Sequence, residues 1–277
     1  MATLYIVATP IGNLEDITLR AVRILSQVDI IAAESVERAR ILLGHLNVTG
    51  KQLISCREAN RRQAARQISD YLHSGRDVAL ISDAGTPGLN DPAAAMVNRA
   101  LEDGFTVSPI PGPSALCSAW SVAGIDSAPF IMLGFLPVKD GARRELIKDC
   151  IASGWPFVFF EGPHRLSASA LLLQEMLPQR KLVLCREMTK LHEQILHTTC
   201  AELPGLIEKD AFLSRGELVL VVEGGEKPVA MAELEQLVYV SQGLAPAKLA
   251  AYLARQSGAG KEEYYKNILK LQKQKPA

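Results

Sequence analysis

Ala79-Leu-Ile-Ser-Asp-Ala-Gly-Thr-Pro-Gly-Leu-Asn-Asp-Pro92 changes character in its middle, and that change points to an architecture. The apolar run Val78-Ala-Leu-Ile81 stops at Ser82-Asp-Ala-Gly-Thr-Pro-Gly88. Asp91-Pro92 then opens an amphipathic stretch that runs to Leu101 and ends before Gly104. This is a strand, a glycine-rich loop and a helix, with Asp91 as N-cap, Pro92 at the first helical position and Gly104 as the stop. A loop after a buried strand presents unpaired backbone N–H groups, and Gly85 and Gly88 let a ligand come close to the main chain. The alternative is a tight crossover with an ordinary cap.

The pattern repeats on both sides of this segment. Residues 4–8 are an apolar run of strand type, followed by the loop Thr9-Pro-Ile-Gly-Asn-Leu14. Asp16 then caps a helix with apolar residues at Ile17, Ala21, Val22 and Leu25. Residues 28–33 form a second buried-strand run, 36–46 a helix and 53–56 a weak strand. Residues 60–73 form a helix capped by Asn60 and stopped by Gly75. After the central loop, residues 105–110 are a strand, and Pro111-Gly-Pro-Ser-Ala115 is a third loop, with Pro113 starting a helix that runs to about Gly124. Strands alternating with helices predict a parallel sheet covered on both faces, with ligands beyond the carboxyl ends of its strands. All three glycine-bearing loops lie at such ends, so they line one edge.

The character changes again after Gly124. Phe130-Ile-Met-Leu-Gly134 begins a second block with strands at 157–160, 182–185, 194–198 and 218–223 and helices at 143–152, 166–177 and 201–209. Its alternation is less regular, which predicts a mixed sheet. The expected architecture is two α/β domains, a parallel sheet first and a mixed sheet second, divided as 1–115 and 116–226. A helical appendage follows at 227–277, with helical patterns at 231–241, 246–256 and 261–273, the last two spaced as a helix-turn-helix.

Thirty basic against thirty acidic side chains argue against a protein that grips nucleic acid over its whole surface. Local basic clusters remain: Arg61 and Arg62 with Arg66, Arg143 and Arg144 with Lys148, and a lysine-rich tail. They are either a track for a phosphate backbone or ordinary solvated helix faces. No apolar run approaches the ~18–20 residues of a membrane span, and the N-terminal segment enters a strand without a basic leader, so a cytoplasmic location is expected. Five widely spaced cysteines make neither a disulfide framework nor a metal site, which predicts buried structural thiols and no metal. The absence of HExxH, of a Walker lysine loop and of a Ser-His-Asp constellation disfavours hydrolysis and phosphoryl transfer.

Six ordered segments, at residues 7–21, 82–92, 110–116, 134–139, 186–194 and 216–224, resemble the tetrapyrrole-methylase-type class III methyltransferases. Within them the similarity is greatest to the bacterial branch that methylates a ribose 2′-oxygen of a cytidine in small-subunit (16S) ribosomal RNA. The resemblance implies S-adenosylmethionine bound in a cleft between the two α/β domains, a homodimer, and ribosomal RNA or the small subunit as partner. It carries cofactor contacts onto Ile11, Gly12, Ala84, Gly85, Thr86, Leu89, Ser114, Ala115, Phe160, Glu161, Thr199 and Leu218. The chain departs from the family in two places. Glu34-Ser-Val-Glu37 stands where related ribosomal RNA enzymes carry Glu-Asp-Thr-Arg, and Phe160-Glu-Gly-Pro-His164-Arg165 stands where a Tyr-Glu-Ser run is common before the His-Arg pair.

Methyl transfer from a sulfonium to a hydroxyl is an in-line displacement that needs alignment and exclusion of water but no covalent nucleophile. A base or cation that lowers the hydroxyl pKa would help. The candidates are Glu34, Asp83, Glu161 and His164. Each has a plainer role open to it: Asp83 in organising its loop, Glu34 in pairing with Arg38, and His164 with Arg165 in capping a helix or contacting phosphate. Two rivals to the RNA methylase stand beside it: a methylase of a small anionic tetrapyrrole precursor, and a non-catalytic protein that binds S-adenosylmethionine or RNA.

Overall fold

Every residue of Val78–Ile81 (β4) is buried, and so is every residue of Ile30–Ala33 (β2), because helices cover both faces of the sheet they share. The computed structural model describes residues 2–125, 129–225, 245–257 and 260–273. With β1 (Thr3–Val7), β3 (Gln52–Ser55) and β5 (Thr106–Ile110) these strands form a parallel five-stranded sheet in the order β3-β2-β4-β1-β5. Alternate side chains serve opposite layers, as strand geometry requires. Val78 and Leu80 pack with Ile68, Leu72 and Met96 from α3 (Arg61–His73) and α4 (Ala93–Glu102). Ala79 and Ile81 pack with Leu25 and Leu43 from α1 (Leu19–Gln27) and α2 (Val36–His45).

Several helix starts differ from expectation by a few residues, each for a local hydrogen-bonding reason. Leu14–Asp16 is a 3-10 turn capped by Asn13, and α1 is capped by Thr18, whose hydroxyl accepts the Ala21 N–H at 3.1 Å, so Asp16 is not its cap. Asn60 does not cap α3 with its side chain: its Oδ1 accepts the Arg57 N–H at 2.7 Å and its amide donates to the Ser55 carbonyl at 3.0 Å. Asp91 lies one residue further from α4 than expected. Its Oδ1 accepts the Ala93 N–H at 2.9 Å while both its oxygens accept the Gly88 N–H, which closes the loop on itself. Ser114, not Pro113, stands at the cap of α5 (Ala115–Val122).

The second sheet is mixed, in the order β6-β7-β10-β8-β9, built from Ile131–Phe135, Phe157–Glu161, Leu218–Val222, Lys181–Arg186 and Gln194–Thr199 respectively. Only β6 and β7 run parallel. One face packs Phe157, Phe159, Leu182, Leu184 and Leu220 against α6 (Asp140–Ser153), α7 (Leu166–Met176) and α8 (Leu203–Lys209). The other face packs Val158, Val183, Val219 and Val221 against Ala119 and Ala123 in and just after α5, and against Ile11 from the first loop. A helix that leaves the first sheet thus covers the second, and the two halves share a core.

The helices Pro246–Ser257 and Lys261–Lys273 pack on each other through Leu249, Ala250, Leu253, Tyr264 and Ile268. The helix expected at 231–241 lies outside the described residues. Four cysteines are buried and Cys117 is exposed, so the expectation of buried thiols holds for all but that one. Burial pushes the Cys56 and Cys200 thiols up to about 12.

Gly85 has φ +76°, and a Cβ there would meet Ile11 Cγ2 at 3.3 Å. Gly85→Ala is expected to lower the unfolding free energy by about 1–2 kcal/mol. Gly44→Ala, inside α2 with open space at its Cβ, is expected to raise it by up to ~1 kcal/mol. Urea unfolding of the two variants checks the contrast.

Candidate functional site

Three loops leave the carboxyl ends of β4, β1 and β5 and are tied to one another. Thr9 and Gly85 exchange backbone hydrogen bonds at 2.9 and 3.0 Å, and the Thr9 hydroxyl donates to the Ser82 carbonyl at 3.2 Å. The Thr86 hydroxyl donates to the Pro113 carbonyl at 3.0 Å, which joins the second loop to the third. Gly112 lies so close to Ala8 that a Cβ on it would stand 2.9 Å from the Ala8 Cβ, which joins the third loop to the first.

The second sheet closes on this rim through glycines. Gly134, at the irregularity where β6 slips against β7, lies against the Asn90 side chain, and Gly12 lies against Thr189 and Lys190. The closure leaves a cleft of about 450 Å³. One wall is Glu34, Arg38, Ser82 to Ala84 and Leu89 to Asp91, with Ala115 beside them; the other is Phe135, Phe160 to Pro163 and Gly216 to Val219.

Of the residues singled out in the sequence, Glu34, Asp83, Ala84, Leu89, Ala115, Phe160, Glu161 and Leu218 line this cleft. Gly85, Thr86 and Ser114 stand behind the wall and hold the loops together, while Ile11 is buried against the second sheet. Thr199 is not brought to the cleft. In the β8–β9 register it pairs with Lys181, at the end of the sheet opposite Arg186 and Leu218, and its hydroxyl donates to Glu202 at 3.0 Å. His164 is exposed in the 3-10 turn Pro163–Arg165, next to the wall but outside it.

The wall carries several acids, and most are engaged. Asp83 accepts the Ser35 N–H at 2.9 Å and pairs with Arg38 at 3.3 Å. The fully buried Glu161 carboxylate pairs with Arg165 at 2.6 Å, accepts the Gly162 N–H at 2.8 Å and receives the Ser169 hydroxyl. Glu34 differs: burial raises its pKa above the ordinary glutamate range, and the charges of Asp83 and Asp91 add to that, against smaller opposing effects of Arg38 and Arg57.

Arg143 does not belong to an outward basic patch. Only 8% exposed, it donates to Ser169 at 3.3 Å and to the Val138 carbonyl at 3.3 Å, bracing the Glu161 network from behind. Its face was legible, because Arg143, Ile147 and Cys150 share one side of α6 at i, i+4, i+7 and all three are buried. Arg144 grips Glu175 with two hydrogen bonds at 2.7 and 2.8 Å and also pairs with Asp140; Lys148 pairs with Glu145 and Arg61 with Glu58. Arg62 is exposed.

Sequence reasoning missed Arg38, Phe135, Asn90, Gly216, Glu217 and Val219 as wall residues. Phe135, Gly216, Glu217 and Val219 fall inside segments 134–139 and 216–224, so the signal was present without a side chain to single out. A wider groove of about 650 Å³, around Arg186, His192, Phe212 and Arg215, contains none of the predicted site residues.

A parallel α/β sheet whose three glycine loops close on a mixed α/β sheet is the architecture of a class III methyltransferase. The family model for tetrapyrrole (corrin/porphyrin) methylases matches residues 3–204, and the chain belongs to that family. Membership makes it a methyltransferase that uses S-adenosylmethionine. The chain is 43% identical over 267 residues to ribosomal RNA small subunit methyltransferase I of Neisseria meningitidis serogroup B, covering 95% of this chain and 91% of that protein. It is 39% identical over 273 residues to the protein of that name from Escherichia coli O157:H7, covering 97% and 95%. Among solved structures, the uroporphyrin-III C-methyltransferase of Thermus thermophilus complexed with S-adenosylhomocysteine aligns with TM-score 0.56 at 16% identity, over 80% of this chain and 97% of that one. At that identity the likeness shows the fold alone.

The cleft suits such a donor. Its volume falls in the ~300–1,000 Å³ range of small-ligand sites, and its walls mix apolar side chains with loop backbone.

Arg165→Ala strands the Glu161 carboxylate. The expected loss is roughly 2–3 kcal/mol, below the ~3–5 of a fully buried pair because the Arg165 side chain is 27% exposed. Arg144→Ala, which breaks a surface fork, is expected to cost less than ~1 kcal/mol. Denaturant unfolding of both variants distinguishes the interior network from the surface one.

Proposed function

We propose that this chain methylates a ribose 2′-oxygen of a cytidine in small-subunit (16S) ribosomal RNA, with S-adenosylmethionine as donor. The observation that carries this reading is the 43% identity over 95% of the chain with a ribosomal RNA small subunit methyltransferase I, a span that includes both walls of the cleft. The solved tetrapyrrole methylases align at only 16–20% identity, so a small macrocycle is the weaker acceptor.

In this reading the donor lies across the glycine loops. Ala84, Leu89 and Ala115 contact it from one side and Phe160, Glu161 and Leu218 from the other, while Ile11, Gly12, Gly85, Thr86 and Ser114 keep the loops in register. Residues 1–115 supply the loops, 116–226 complete the cleft, and the region 227–277, which includes the helices Pro246–Ser257 and Lys261–Lys273, contacts RNA. Arg61, Arg62, Arg144, Lys148 and Arg165 are the cations available to phosphate, each except Arg62 at the expense of an acidic partner. The protein works as a homodimer in the cytoplasm, and no helix among the described residues is long and apolar enough to cross a membrane.

Mass spectrometry of ribosomal RNA from cells lacking the protein should reveal one missing 2′-O-methylcytidine, restored when the purified chain and S-adenosylmethionine are added to small subunits or to the free RNA. Unchanged RNA, with methyl transfer to a tetrapyrrole precursor instead, would overturn the assignment. Phe160→Ala should weaken donor binding about tenfold in calorimetry by removing an apolar wall.

A further inference from the structure

We infer that Glu34 is the general base that takes the proton from the acceptor hydroxyl, an assignment that rests on the methyl-transfer reading above. Glu34 follows the last residue of β2, and the pairing of Ala33 with Ile81 sets it beside Ser82 and Asp83 at the end of β4. The glycine loops rise from β4, β1 and β5, and β2 lies next to β4 on the side away from β1, so it flanks the donor loops. Glu34 lines the cleft from that flank.

The other acids of the wall are occupied. Asp83 holds Arg38 and the Ser35 N–H; Asp91 holds the Gly88 and Ala93 N–H groups; Glu161 holds Arg165, Gly162 and Ser169; Glu217 holds Lys190. Among the described residues none donates a hydrogen bond to the Glu34 carboxylate, and no ion pair engages it; only its backbone carbonyl is used, by Arg57 at 3.4 Å. A carboxylate with open lone pairs in a cleft wall is equipped to accept a proton.

Its surroundings suit that work. Asp83 and Asp91 face it from the β4 loop, Arg38 from α2 and Arg57 from the segment after β3, and Cys56 beside it is neutral because burial pushes its thiol up to about 12. Burial and the two carboxylates together make Glu34 more basic than an ordinary glutamate.

Bound S-adenosylmethionine supplies a methyl carbon on a positively charged sulfur. Glu34 accepts the hydroxyl proton while the ribose oxygen bonds to that carbon, and the electron pair of the broken sulfur–carbon bond stays on sulfur. The products are a methyl ether, a neutral thioether and a neutral Glu34 carboxyl, which returns its proton to water.

Activity requires the carboxylate, so the rate falls as pH drops through the raised pKa of Glu34. Stability moves oppositely. A carboxyl whose pKa is raised in the folded state binds more protons folded than unfolded, so the wild type loses stability as pH rises between the unfolded and folded values.

The test compares wild type, Glu34→Gln and Glu34→Asp with unmethylated small-subunit RNA. Glu34→Gln should slow single-turnover methyl transfer by ~10²–10⁴-fold and lose the acid limb of the pH profile. Donor affinity in calorimetry should stay within about threefold, and Glu34→Asp should recover part of the rate. Independently of activity, Glu34→Gln should melt above wild type at neutral pH, with the difference vanishing below the ordinary glutamate pKa of ~4.3. A Glu34→Gln protein with wild-type rate and an unchanged acid limb overturns the base alone. A wild type that transfers no methyl to any small-subunit RNA overturns the parent reading and this one with it.

Discussion

The exchange of two backbone hydrogen bonds between Thr9 and Gly85 is the constraint on which the molecule depends. It joins the loops after β1 and β4, and it requires Gly85 at φ +76°, a conformation that an L side chain adopts only under strain. Once that bridge exists, the Thr86 hydroxyl reaches Pro113 and the third loop is drawn in. The wall of the cleft is therefore a consequence of one short antiparallel bridge set on an all-parallel sheet.

The opposite wall obeys a different logic. A carboxylate with a side chain 0% exposed cannot remain charged without partners, and Glu161 has three: a guanidinium, a backbone amide and a hydroxyl. Arg143 supports the hydroxyl from behind. The network holds the end of β7 at the point where Phe160 and Pro163 face the cleft. A polar interior is tolerated there because it keeps an apolar wall in position, and the departure from the family's Tyr-Glu-Ser pattern sits in that same turn.

Much of this was legible in the residues. Runs such as 78–81 and 30–33 have no polar alternation, which is the mark of strands buried on both faces; of Gly85 and Gly88, read as places of close approach to the main chain, Gly85 is packed against Ile11 and the third loop, while Gly88 stands in open space. Helix starts were less legible, because several residues near each start could cap and the choice was made by neighbours: Asn13 captured the first turn and left α1 to Thr18. Thr199 does not line the cleft because antiparallel register decides which end of β9 reaches it, and no local signal carries register. Arg143 was read as surface from its charge, although its spacing with Ile147 and Cys150 placed it on the buried face. Asp83 and Glu34 both looked like candidate acids, and the partners of Asp83, the N-cap Ser35 and Arg38 of α2, separate them.

One measurement decides whether the glycine loops and the second sheet together seat S-adenosylmethionine between them. A crystal structure of the protein grown with S-adenosylhomocysteine tests it directly. The ligand is expected between Ala84, Leu89 and Ala115 on one side and Phe160 and Leu218 on the other, with the Thr9–Gly85 bridge intact. A ligand seated in the groove around Arg186 and Phe212, or loops that part on binding, would contradict it.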